Sequence, residues 1–257
     1  MPAVSDAPPP ASPAERGERI AKWLSRAGVV SRRDAEKLIE EGVVQLNGAK
    51  VTHPATFINP DDIVQVRGKV VDNPERTRLW RYHKPEGLVT THKDPEGRPT
   101  VFQKLPEAMP RVVSVGRLDL NSEGLLLLTN DGTLARRLEL PANGWIRRYR
   151  VRVYGPVDPR ALGLLAKGAT VDGVKYGQIE ASLEAKTGTN SWLSVSLKEG
   201  RNREVRKVMG HLGLQVTRLI RVAYGPFQLG NLERHAVDEI TGKVLREQLS
   251  GLDAPTR

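Results

Sequence analysis

The 257 residues include no cysteine, 40 lysines and arginines against 30 acids, and 39% hydrophobic residues. That balance excludes disulfides and thiolate-ligated zinc, and the formal charge of +10 favours a polyanionic partner such as nucleic acid; the apolar share is enough for one or two domains with cores. No apolar run approaches the roughly 18 residues of a membrane span, and the five histidines stand at no metal-ligand spacing, so the expectation is a soluble cytoplasmic protein with no metal site and no membrane partner.

Residues 1–17, rich in Pro, Ala and Ser and without an apolar stretch, are expected to be a disordered lead-in rather than a secretory signal. Ile20, Trp23, Leu24 and Ala27 then fall at i, i+3, i+4 and i+7, one apolar stripe of a helix that Gly28 ends. Ser31-Arg32-Arg33-Asp34 is an N-cap with an acid three residues on, and Ala35, Leu38 and Ile39 give a second helix its buried face. A hairpin over residues 43–51 turns at Asn47-Gly48, and residues 63–66 make one more short strand. This unit, residues 18–67, places Arg19, Lys22, Arg26, Arg32, Arg33 and Lys37 on or near its helices. By charge alone they suit a solvated face as well as a docking surface. Residues 68–78, polar and containing Asn73-Pro74, are the expected linker.

A second domain is expected over residues 79–249. Leu79 to Tyr82 alternate as a strand, Lys84-Pro85-Glu86-Gly87 turns, residues 88–91 resume the strand, and the two prolines of 94–99 admit no regular element. Val112, Val113 and Val115 begin a strand before a polar turn that holds Asp119 and Glu123. The unbroken apolar run Leu125 to Leu128 follows as a buried strand, closed by Asn130-Asp131-Gly132. Asp119 therefore lies in a loop fixed on both sides by core strands, the usual way for a scaffold to hold a reactive group. Alone, an Asp so placed is more often a turn or capping residue.

Downstream, residues 133–138 form a short helix, and 145–154 alternate as a strand with Tyr149, Val151 and Val153 on one face. Asp158-Pro159 starts a helix whose apolar side is Leu162, Leu164 and Leu165. A strand over 192–197 and a helix over 204–212, closed by Gly213, follow. Residues 241–249 are a last helix, and 250–257 a tail.

As a whole, residues 116–132 resemble the signature of the RsuA-type pseudouridine synthases, in which the Asp of Gly-Arg-Leu-Asp is the nucleophile. Lys-Pro-x-Gly at 84–87, Tyr149 in a Lys/Arg-x-Tyr-x-Val motif, Glu-Gly-Arg-Asn-Arg-x-x-Arg at 199–206 and the stretch 218–227 resemble the same family, in its order. Ser-Arg-Arg-Asp-Ala-Glu followed by Val-Gln-Leu-Asn-Gly resembles the S-four-like RNA-binding domain.

The resemblance implies an α+β protein in which a small helix-helix-hairpin RNA-binding domain joins a catalytic domain built on a mixed, mainly antiparallel sheet. It implies isomerisation of uridine to pseudouridine, in which the glycosidic bond from nitrogen is broken and the base rejoined through carbon. No redox change occurs, so no cofactor is expected. Asp119 takes the nucleophile's place, Tyr149 packs beside it and stacks on the base, and Arg206 pairs with it. Leu219 lines the base pocket, Lys84 contacts substrate, and Arg117 contacts the substrate strand or fills the space the flipped base vacates. Arg19, Lys22, Arg32, Arg33 and Lys37 would meet RNA. The starts Tyr-His-Lys-Pro-Glu-Gly and Asp-Pro-Glu-Gly-Arg-Pro-Thr-Val-Phe look closest to members that modify large-subunit ribosomal RNA, and the expected enzyme is a monomer. The segment Asn121-Ser122-Glu123 varies within the family and leaves the choice of uridine open, as the residues do the point of attack, ribose or ring. Two other readings remain: a noncatalytic ribosomal RNA-binding or assembly factor, which would need the basic helices but not Asp119, Tyr149 and Arg206 together, and a hydrolase of RNA phosphates, which would want clustered metal-binding acids.

Overall fold

The structure, a computed structural model, describes residues 17–250 and divides into two compact units between Arg76 and Thr77. The expected lead-in, save Gly17, and the expected tail, save Ser250, lie outside the described residues. In the first unit the order is β1 (Glu18–Arg19), α1 (Ile20–Arg26), α2 (Arg32–Glu40), β2 (Val44–Leu46), β3 (Ala49–Lys50), β4 (Phe57–Ile58), β5 (Val64–Val66) and β6 (Lys69–Val70). The apolar stripes of α1 and α2 close over Val44, Val51, Ile58 and Val64. Ser31 Oγ accepts the Asp34 N–H at 3.2 Å, a cap worth about 1 kcal/mol. Asn47 and Gly48, at φ 51° and 82°, make the tight turn between β2 and β3.

β5 pairs with both β2 and β6, so the expected linker is too long at both ends. Arg67 and Gly68, at φ 51° and 77°, turn the chain into β6. At the other end, Thr77 Oγ1 donates to Asp131 at 2.9 Å and Arg78 pairs with Glu239 at 2.5 Å, so both are held by the second unit.

The second unit runs β7 (Leu79–Lys84), β8 (Val113–Val115), β9 (Glu123–Thr129), α3 (Gly132–Glu139), β10 (Arg147–Tyr154), α4 (Pro159–Leu164), β11 (Ala169–Val171), β12 (Val174–Tyr176), β13 (Ile179–Thr187), β14 (Asn190–Leu197), α5 (Glu204–His211), β15 (Gln215–Tyr224), β16 (Phe227–Gln228), β17 (Val237–Ile240) and α6 (Gly242–Ser250). One sheet organises it, in the order β13-β14-β10-β15-β9-β7-β17, with β8 beside β9 and β16 beside β15. Its pairings are antiparallel except for β15 with β9, which is parallel. β9 is buried along its whole length. Leu125 and Leu127 join the core beneath α3, while Leu126 and Leu128 join Trp80, Tyr82 and Leu118 on the other side. A strand covered on both faces has no use for polar alternation, hence the run of leucines.

A parallel seam lies at mid-sheet. Gly124 of β9 lies beside Arg221 of β15 at φ +106°, and a Cβ there would come within 2.3 Å of the Arg221 carbonyl oxygen. Only glycine lets the two backbones approach so closely.

Several expectations change. Residues 88–91 form no strand; Val89 instead makes a single bridge to Thr100, with its N–H on Pro99 O and its own carbonyl taken by the Val101 N–H, both at 3.0 Å. Glu123 is the first residue of β9 rather than part of the turn. Leu164 is 62% exposed, leaving Leu162 and Leu165 to anchor α4. No helix among the described residues is long and apolar enough to cross a membrane.

Candidate active site

The loop from β8 to β9 carries Asp119, and its backbone is tied down carbonyl by carbonyl. Thr90 Oγ1 donates to Leu118 O at 2.9 Å, the Ser122 N–H to Asp119 O at 3.0 Å, and the Gly87 N–H to Leu120 O at 2.9 Å. Arg206 Nη2 donates to Asn121 O at 2.5 Å. Lys84 Nζ takes both Asp119 O at 3.1 Å and Ser122 O at 2.7 Å, and its third proton goes to Pro85 O at 2.9 Å. Five successive carbonyls thus have named partners, from three different parts of the chain. Such a loop holds its side chains nearly as firmly as a strand would.

The Asp119 carboxylate, 33% exposed, faces Arg203 Nη1 at 4.0 Å. It lines a cleft of about 300 Å³ whose walls include Tyr149, Leu219, Arg221 and Tyr224, with Arg117, Arg201 and Arg203 on its exposed parts. Tyr149 and Arg221 are cross-strand partners on β10 and β15, and Leu219 follows at the spacing that keeps it on the same face as Arg221. A smaller hollow of about 220 Å³ continues past Asp119 toward Thr90, Asp94 and Arg98. The site therefore has an apolar and aromatic wall, the Asp119 carboxylate at its edge with Glu139 and Glu204 also in its lining, and a rim of arginines.

Two acids beside this floor carry structural duties. Glu123 is 1% exposed and is held by Arg218 and by Arg234 Nη2 at 2.9 Å. Burial pushes its carboxyl up, but the Arg218 hydrogen bond and the charges of both arginines outweigh that and bring it below the usual carboxylate value. Glu204, at the start of α5, accepts the Arg201 N–H at 2.9 Å, and its burial pushes its own carboxyl up. Among the described residues no group of three His or acid side chains could hold a metal ion.

Of the site residues expected from the sequence, Asp119, Tyr149, Leu219 and Arg117 do line one cleft. Lys84 differs: it is 0% exposed, and its three donors are spent on the loop carbonyls, so it positions Asp119 rather than touching substrate. Its ammonium is pushed down to about 8 by burial, against the pull of Asp119, Glu86 and Glu123. Arg206 also differs from its expected pairing. Its hydrogen bonds go to Asn121 O and Val216 O, and the guanidinium at ion-pair distance from Asp119 is that of Arg203. Arg206 still feels Asp119 electrostatically, but burial and the charge of Arg203 hold its own pKa below the usual value.

In the first unit Arg19, Arg32, Arg33 and Lys37 are exposed. Lys22 is paired with Glu18 at 3.0 Å, which also binds Arg26 at 2.6 Å. The sequence alone assigns no role to Thr90, Arg203 or Arg221. For Thr90 no signal existed, whereas the two arginines lay in motifs already singled out.

The model of the RNA pseudouridylate synthase family matches residues 78–211, and that of the S4 domain residues 18–64. A protein of Rickettsia bellii (strain RML369-C), named an uncharacterized RNA pseudouridine synthase, is 51% identical over 89% of this chain and 99% of its own length. Proteins named ribosomal large subunit pseudouridine synthase B from Haemophilus influenzae and Yersinia pestis are 41% and 42% identical, over 95% and 83% of this chain and 71% and 69% of theirs. A crystal structure of a pseudouridylate synthase superposes with a TM-score of 0.61 at 26% identity, covering 90% of this chain and 99% of that one.

Proposed function

Because the chain belongs to the RNA pseudouridylate synthase family and is an RNA pseudouridine synthase, we propose that it isomerises one uridine of large-subunit ribosomal RNA, with Asp119 as nucleophile. The target in ribosomal RNA is supported by the two relatives named for the large subunit. The observation that carries the assignment of Asp119 is the anchored loop: a carboxylate at the edge of an aromatic cleft, on a backbone whose carbonyls are fixed one after another.

A base inside folded RNA is out of reach of that carboxylate, so the nucleotide flips out at a cost of a few kcal/mol. Tyr149 and Leu219 offset this by taking the ring between them. Asp119 then attacks and is bonded to the nucleotide for a time; the bond from the ribose to the ring nitrogen breaks, the ring turns, the ribose carbon bonds to ring carbon 5, and the bond to Asp119 breaks to return its carboxylate. The proton lost from carbon 5 is balanced by one gained at nitrogen, so product and substrate have the same atoms and the step is redox neutral. As the substrate displaces water, Arg203 and the more distant Arg206 stabilise the carboxylate's charge. Arg117 meets the strand beside the target.

Arg19, Arg32, Arg33 and Lys37 dock the RNA backbone through phosphate contacts, with Lys22 contributing less because Glu18 neutralises it. The working form proposed is a monomer in the cytoplasm. The test is chemical mapping of pseudouridine in total ribosomal RNA from cells lacking the protein, complemented with wild type or Asp119→Asn. One large-subunit position should be missing, restored by wild type and left unmodified by Asp119→Asn, which still binds RNA. Equal restoration by both would remove Asp119 from the chemistry.

A further inference from the structure

We infer that Arg221 is a further substrate-binding residue, donating to a carbonyl oxygen of the flipped pyrimidine ring; this rests on the cleft being the uridine site proposed above. Arg221 is 3% exposed, yet it lines the cleft beside Asp119. Its Nε donates to Leu125 O at 2.8 Å, which fixes the plane of the guanidinium, and its carbon lies 5.1 Å from the Tyr224 ring centroid. Nη2 is buried with no hydrogen-bond partner, and no carboxylate pairs with Arg221 among the described residues. A buried cation with an unspent donor is an expensive arrangement, and at a cleft wall it is usually kept for a ligand.

Position selects the ligand atom. Arg221 lies opposite Tyr149 across the β10–β15 pairing, so a ring stacked on Tyr149 would present its edge toward the guanidinium. On the other side stands Gly124, whose missing side chain is what lets β9 and β15 close up behind it. The phosphates of the strand belong at the rim, where Arg117, Arg201 and Arg203 are exposed. What enters to the depth of Arg221 is the neutral base, and the acceptors on a uracil edge are its two carbonyl oxygens, at positions 2 and 4. At position 4 a cytosine would offer an amino group instead, donor against donor. A site that spends a buried donor in this way rejects a ring lacking the acceptor.

The test uses a short RNA spanning the uridine that mapping locates, made with uridine, 2-thiouridine or 4-thiouridine at that single position, since sulfur is a poorer acceptor than oxygen. The full-length wild type, Arg221→Gln, Arg221→Lys and Asp119→Asn are compared by kcat/KM for conversion of each RNA. Wild type should lose roughly 10- to 100-fold on one of the two thio-substituted RNAs. Arg221→Gln should be slower on uridine by a similar factor and nearly indifferent to that sulfur, a non-additivity that a merely structural role would not produce. Arg221→Lys, which keeps a cation over Tyr224, carries the same comparison if the glutamine variant fails to fold. Wild-type indifference to both sulfurs, or the same thio penalty in the variants as in wild type, overturns the inference. Conversion by Asp119→Asn would instead bring down the nucleophile assignment and leave the thio result standing, so the two failures are distinct.

Discussion

Replacing Lys84 with methionine separates a positioning role from a substrate-contacting one. The side chain is 0% exposed and gives its three protons to Pro85 O, Asp119 O and Ser122 O. Hydrogen bonds from a charged donor contribute roughly 2 kcal/mol each. Against this stands the burial of the ammonium, which holds its pKa down to about 8 from 10.5, equivalent to roughly 3 kcal/mol. The net loss in Lys84→Met is therefore about 3 kcal/mol, and for a unit of this size the expected drop in Tm is roughly 6–12 °C. The pH dependence has a definite sign. With the folded pKa below the unfolded one, the unfolded chain holds more protons between pH 8 and 10.5, so wild-type stability gains from this group across that window and not below it. The methionine variant lacks that gain. Calorimetry at several pH values and single-turnover kinetics check both halves: Tm falls, kcat falls with the loosened Asp119 loop, and RNA affinity stays near wild type. An unchanged Tm with weakened RNA affinity would mean that Lys84 touches substrate, and the structural reasoning would fail.

Glu123→Gln should cost on the order of 2 kcal/mol at pH 7, at the low end for a broken buried pair because Arg218 and Arg234 reach water. Since the folded carboxyl lies below the usual 4.5, its contribution is complete above that pH and disappears as the pH falls through the folded value, so urea melts should show a shallower acid limb in the variant. Reversing charge at Arg32 and Arg33, both exposed, should weaken RNA binding and lower the slope of log affinity against log salt by about 2. An unchanged slope would move the docking surface elsewhere.

The parts of the fold that could be read in the sequence are those where burial is one-sided or complete. The stripes Ile20-Trp23-Leu24 and Ala35-Leu38-Ile39 cover one face of each helix, and Leu125 to Leu128 are buried on both sides of a central strand. The two edge strands of the main sheet are among the elements that the sequence pattern does not reveal. β13 is an edge strand, exposed along most of its length, so its side chains carry no alternation. β17, at the opposite edge, reads Val-Asp-Glu-Ile because its acids meet Arg81 and Arg78 of the neighbouring chain segment. Charged edges of this kind discourage pairing with another sheet and look like loop in the sequence.

The site divides along a similar line. Asp119, Tyr149 and Leu219 could be located because each sits in a motif and needs only to reach the cleft. Lys84 and Arg206 sit in motifs as well, but their roles depend on which oxygen each nitrogen reaches, and that is decided by a loop from another part of the chain. A lysine is so seldom buried that its sequence neighbours gave no reason to turn it inward. Yet an unpaired loop carbonyl beneath a sheet is costly, and only a long flexible side chain with three donors could serve Pro85, Asp119 and Ser122 together. Arg206, with Asn121 O on one side and Val216 O on the other, ties α5 and β15 to the same loop. Cations that a motif assigns to the substrate or to the nucleophile can thus be needed first by the backbone that presents that nucleophile, and their loss should then appear in stability as well as in turnover.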